Sequence, residues 1–257
     1  MTLDPIHQFN IDNLFTIGHI GGQPIYFTNS SAYMLVAVAV ICLLMIGGVA
    51  GRQLVPGRFQ SMAEVSYEFV ASMIRSNAGA EGMRFFPLVF SLFMFILVSN
   101  LVGIIPYTFT VASHIIVTAT FALLVFFTVL MYGFYKNGLK FFKIFVPSGV
   151  PIYILPLVVA IEIISFFSRP LSHSVRLFAN MLAGHLLLVT FALLTDALIF
   201  HDGVKIGGFP AWSPLAIFPF AMAVAITAFE ILVAVLQAFI FTILTGVYVG
   251  AAMHPDH

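Results

Sequence analysis

Charged residues are bunched along this chain, and the stretches between them are long and apolar. Residues 31–50 contain no Asp, Glu, Lys or Arg. At about 1.5 Å per residue, that segment crosses a ~30 Å hydrocarbon layer as one helix. From Phe85 to Tyr135 the same four residue types are again absent. This run is too long for one crossing and is broken near Pro106-Tyr107-Thr108, so it predicts two spans, 86–105 and 114–135, forming a hairpin. Two further apolar blocks, 148–200 and 213–252, flank the polar loop His201–Trp212. Each exceeds the ~20 residues of a perpendicular crossing. Arg169-Pro170 either kinks the first block or divides it in two, because proline removes one backbone bond. Ser172 to His185 offers no aqueous turn, which favours two very long, strongly tilted helices as a hairpin.

Segment 53–84 differs in kind. Phe59, Met62, Val65, Phe69 and Met73 recur at spacings of three and four, with Gln60, Glu64, Glu68 and Arg75 between or beside them. That pattern predicts an amphipathic helix, lying either in the membrane interface or against a neighbouring subunit. The expected fold is an all-α integral membrane protein with about five membrane-crossing helices plus one interfacial helix. Residues 1–30 form an outer N-terminal segment of this single membrane domain.

Composition supports the membrane class: 61% of the 257 residues are hydrophobic and 8% charged, against about 25% charged in soluble domains. Net charge is zero, which leaves no basic footprint for nucleic acid. The single cysteine, Cys42, has no internal disulfide partner and is expected to be a buried, inert thiol. The first thirty residues hold Asp4 and Asp12 but no Lys or Arg, unlike a cleaved signal peptide, so the first span is expected to remain as an anchor. Arg52, Arg58, Arg75 and Arg84 share one side with Lys136, Lys140 and Lys143, whereas the opposite loops carry only Lys205. By the positive-inside rule the basic side is cytoplasmic, or the matrix in an organelle, and five crossings leave the N-terminus outside and the C-terminus inside.

A few strongly polar groups lie at membrane depth: Glu162, Arg169, His173, Arg176, Asn180, His185, Glu230 and Gln237. Arg176 cannot escape its cost by losing a proton, so an anion must meet it. At about 100° per residue, Glu162, Ser165, Arg169, Ser172, Arg176 and Asn180 fall within about 40° of one line, a stripe roughly 27 Å long. Glu162 is ~21 Å from Arg176 along that helix, too far for contact. His185 lies ~13 Å the other way and about 180° around. Glu230 and Gln237 share a face of the last helix, about 10 Å apart. Membrane-embedded ionisable groups favour an ion pathway. A stabilising His185–Glu230 pair and a structural Glu162–Arg169 pair at the basic side are the alternatives. No histidine pair has metal-site spacing and no phosphate-binding glycine loop is present, so no metal or cofactor is expected. Asp196 and His201-Asp202 fall at the outer end, where a solvated loop is the plain reading.

Ser172-x-x-x-Arg176-Leu177-Phe178-Ala179-Asn180-Met181-x-Ala183-Gly184-His185 resembles the signature of subunit a of F-type ATP synthases. Ser99-Asn100-Leu101-x-Gly103-x-x-Pro106, Glu162 fourteen residues before the arginine, and Glu230-x6-Gln237 extend the resemblance, which runs from Asp4-Pro5-x-x-Gln8-Phe9 to the C-terminus. His185 paired with Glu230 resembles the mitochondrial and alphaproteobacterial arrangement. The resemblance implies a proton-translocating stator packed against a ring of c subunits, with b-type peripheral stalk subunits as further partners. It implies a bacterial inner membrane or, alternatively, a mitochondrial one. A ring carboxylate would be the anion for Arg176. One half-channel would involve His185, Glu230 and Asn180, and a second Glu162 and Ser172, with Arg176 between them and Gln237 facing the ring. His173, Arg169 and Asp196 are weaker candidates. Nucleotide chemistry would reside on other subunits. An ion-coupled transporter is the competing class, but the chain shows no internal repeat. A histidine-liganded redox enzyme lacks suitable pairs.

Overall fold

The computed structural model describes residues 10–20, 23–50, 53, 55–105, 108–146, 150–151, 153–200, 205–206, 209–210 and 213–253. Asp4-Pro5-x-x-Gln8-Phe9, Arg52, Pro106-Tyr107, His201-Asp202 and the tail from His254 lie outside the described residues. Five helical stretches are long and apolar enough to cross a membrane by length and composition. The chain is therefore an all-α membrane protein, with small β-hairpins appended.

One of those hairpins is absent from the reading of residues 1–30 above. Strands β1 (Asn13–Ile20) and β2 (Gln23–Thr28) pair antiparallel, with Phe15 stacked on Phe27 at 4.9 Å. Asn29 ties the hairpin to helix α1 (Asn29–Ala50): its side-chain amide donates to the Asn10 carbonyl at 3.0 Å, and its Oδ1 accepts from the Asp12 amide at 3.3 Å. Cys42 is exposed on α1, not buried; an apolar neighbourhood on a membrane helix need not be a protein neighbourhood.

Helix α2 (Arg58–Gly82) has three faces. Ala63, Val70, Ile74 and Ala78 are buried against protein, while the predicted apolar stripe of Phe59, Met62, Val65 and Phe69 stays exposed and only Met73 of it is buried. Glu64, Glu68 and Arg75 project on a third side, about 120° to 140° from each of the others. Such a helix meets lipid, protein and water at once, which suits an interfacial position. Gly79, at φ +67, breaks it; a 3₁₀ turn over Met83–Phe85 leads into helix α3 (Phe86–Gly103).

Helix α4 (Ile115–Asn137) closes the predicted hairpin. The expected aqueous loop after it is a 3₁₀ segment, Gly138–Phe145, that tucks Phe141 into the core at 1% exposure, in space left by Gly133. Helix α5 (Leu155–Phe200) then runs unbroken through Pro170, so the first long block is one helix. Strands β3 (Lys205–Ile206) and β4 (Phe209–Pro210) pair before helix α6 (Ile217–Met253). The 46 residues of α5 span about 69 Å, so a straight α5 confined to a ~30 Å layer lies about 60° from the normal.

Helix α6 is the centre of the molecule and packs on α2, α3, α4 and α5. Its buried stripe passes through Ile226, Glu230, Ala234, Gln237, Ala238, Phe241, Thr245, Val249 and Ala252. The small residues allow helix backbones to approach, as association within lipid requires.

Candidate functional site

The faces of α5 decide what each polar residue can do. Phe166, Ser174, Leu177, Met181 and His185 are buried, at spacings of eight, three, four and four. Ser172, Arg176 and Asn180 are exposed on another face. The predicted opposition of Arg176 and His185 is thus present. Among the described residues no acidic side chain pairs with Arg176.

Beyond Arg176 toward the β3 end, His185 Nδ1 and Glu230 Oε1 are 3.8 Å apart, with side chains 4% and 5% exposed. That separation exceeds a direct hydrogen bond. Gly184 makes the approach possible, since a Cβ there would sit 2.7 Å from Glu230 Oε1. On the other side of Arg176, Arg169 Nη2 donates to Glu162 Oε1 at 3.1 Å, and both side chains stay about one-third exposed or slightly less, at 27% and 31%. Arg169 also lies over the Phe166 and Tyr248 rings at 5.7 and 5.2 Å. Asp196 is exposed near the end of α5, away from both pairs.

Gln237 departs from expectation. It is 6% exposed and belongs to the buried stripe of α6, so its side chain lies within the chain rather than on an outward surface. One residue went unassigned in the sequence reading although its motif was noticed. Asn100 on α3 is 0% exposed, and neither of its side-chain amide atoms has a hydrogen-bond partner among the described residues. Phe69 touches both Phe93 of α3 and Phe239 of α6, at 5.8 and 5.9 Å. Asn100 is on α3, which packs on α6, the helix that carries Glu230. A lone amide in a helix otherwise apolar was the available signal. His114, between α3 and α4, stacks on Phe109 at 4.9 Å, and burial pushes its imidazole below the ordinary value. Thr118 of α4 and Ser174 of α5 share a buried hydrogen bond of 3.2 Å.

Permanent cations, a buried acid–imidazole pair and offset acids on two tilted helices form an arrangement suited to moving protons. The family model described as ATP synthase A chain matches residues 31–250. The chain belongs to that family. It is 69% identical over 255 residues to ATP synthase subunit a of Rhodopseudomonas palustris strain BisB18, covering 99% of this chain and 100% of that relative. Identity is 70% over 257 residues to the strain BisB5 protein of the same name, covering both chains fully. It is 66% over 255 residues to ATP synthase subunit a of Nitrobacter winogradskyi, covering 99% and 100%. As an ATP synthase A chain, the protein is a multi-pass, proton-translocating component of the membrane sector and part of the ATP synthase complex.

Proposed function

We propose that α5 and α6 form the fixed wall of two offset proton half-channels, separated by Arg176, against a rotating ring of c subunits. The observation that carries this reading is the placement of Arg176: exposed on α5, with no acidic partner among the described residues, between a buried protonatable pair and a partly exposed one. A ring carboxylate supplies the missing negative charge. Attraction to a permanent cation favours the ionised carboxylate, so each arriving ring acid releases its proton beside Arg176. The same cation repels a proton that would cross directly between the half-channels.

In the outer half-channel, His185 and Glu230 exchange protons with the outer water and Asn180 guides them to the ring. Both groups can lose charge, which lowers the cost of their burial. In the inner half-channel, Glu162 and Ser172 receive protons leaving the ring. Rotation carries each neutralised carboxyl nearly a full turn between the two, coupling proton flow to ATP synthesis. ATP chemistry resides on other subunits, and b-type stalk subunits hold this chain still. The membrane is the bacterial inner membrane, with the N-terminus periplasmic and the C-terminus cytoplasmic.

Arg176→Ala in the reconstituted complex tests the reading. ATP-driven acidification of vesicles should be abolished, while hydrolysis by the detached soluble sector is unchanged. Normal pumping by the variant would overturn the assignment.

A further inference from the structure

His173 is a partly buried histidine of α5 that the half-channel reading leaves without a task. Its Nε2 is buried and has no hydrogen-bond partner among the described residues. The ring lies edge-on to Phe241 and Tyr248 of α6, with centroids 5.2 and 5.5 Å away. It is three residues before Arg176, ~4.5 Å along the helix and about 60° around from it. On the other side of Tyr248 stands Arg169, which holds Glu162 at 3.1 Å. Glu162, Arg169, Tyr248 and His173 are therefore contiguous, and the series ends one helical turn from Arg176.

Three of these residues, Arg169, His173 and Tyr248, line a small cleft. Arg169, His173, Thr245 and Tyr248 contribute its polar groups, and Ala122, Val125, Phe126 and Val129 close it from α4. Its volume of about 20 Å³ admits roughly one water molecule. The charged or titratable groups around His173 are Arg169 and Arg176 on α5 and Tyr248 on α6; α4 presents none to the cleft. A neutral imidazole beside a deprotonating acid can accept a proton and give it up quickly.

We propose that His173 is the proton relay of the inner half-channel, linking the ring carboxyl opposite Arg176 to Glu162 past Tyr248 and Arg169. The inference rests on the half-channel reading above. The carboxyl O–H bond breaks as an N–H bond to the imidazole forms. The transient imidazolium then releases a proton toward the Glu162 side, and the imidazole returns neutral. No electron, co-reactant or leaving group is involved.

The test uses the complete ATP synthase in vesicles, with internal pH dyes, for His173→Gln, His173→Leu and Arg176→Ala in parallel. His173→Gln keeps size and polarity but cannot be protonated. It should assemble and lower proton flux roughly ten- to hundred-fold, at or below the lower range for general acid–base groups. It should also change the dependence of flux on inner pH. Wild-type flux with an unchanged inner pH profile in His173→Gln sinks the relay. So does failure of both histidine variants to assemble, which would make His173 structural. If Arg176→Ala is inactive while His173→Gln is normal, the relay alone falls. If Arg176→Ala pumps normally, the half-channel reading falls with it.

Discussion

Toward the β3 end of α5, His185 and Glu230 come from two different helices and are almost fully enclosed. Toward the other end, Glu162 and Arg169 sit seven residues apart on one helix and keep nearly a third of their side-chain surface. The difference follows from what each pair can do with its charge. A carboxyl and an imidazole can both become neutral by moving protons, so they tolerate a low-dielectric site. A guanidinium cannot, and burying it fully would cost several kcal/mol even when paired. The enclosed pair is therefore suited to gating protons one at a time, and the open pair to meeting water.

The largest effect should come from removing the titratable acid of the enclosed pair. Glu230→Gln leaves a group of nearly the same size that cannot carry a proton. Proton flux in reconstituted vesicles should drop on the order of 10²- to 10⁴-fold, with assembly retained. A variant that still acidifies vesicles within roughly two-fold of wild type would show that the outer pair is structural.

A second test separates function from stability. Asn100 buries an amide with no hydrogen-bond partner among the described residues, an arrangement that costs ~1–3 kcal/mol. Asn100→Val removes that cost with a side chain closer to it in volume. Thermal unfolding of the purified complex should show membrane-sector stability unchanged or raised by up to about 2 kcal/mol. Proton flux should fall as well if the amide serves the proton path. Lower stability with normal flux would mean that Asn100 is only a packing residue.

Much of this site was legible because helical geometry is local. The opposition of Arg176 and His185, and the stripe from Glu162 to Asn180, follow from the α-helical period once 155–200 is one helix. The wheel does not say which apolar face meets protein and which meets lipid, since both environments accept the same side chains. That ambiguity explains the exposed stripe of α2, the exposed Cys42 and the buried Gln237 and Asn100. The β1–β2 hairpin escaped for another reason. Its strands are short, and Gly18 and Pro24 weaken the alternation that would have marked them. Gly184 read as part of a motif, but its purpose needed the close approach of Glu230.

The smallest effect should come from the open pair, and this is where the comparison can break. Glu162→Gln keeps a hydrogen-bond acceptor for Arg169 and removes one charge from a pair already in contact with water. Exposed ion pairs contribute ~1 kcal/mol or less, so the unfolding temperature of the complex should barely move. Water near a half-exposed carboxyl can substitute in part as a proton acceptor, so flux should fall by roughly ten-fold or less. The loss should also shrink as salt rises if long-range attraction of protons to Glu162 contributes. Suppose instead that Glu162→Gln is as damaging as Glu230→Gln in the same vesicles. The inner acid would then be as enclosed in the assembled complex as the outer one, with a partner subunit covering the exposed third seen here. Equal severity would thus replace an open inner outlet by a second closed gate.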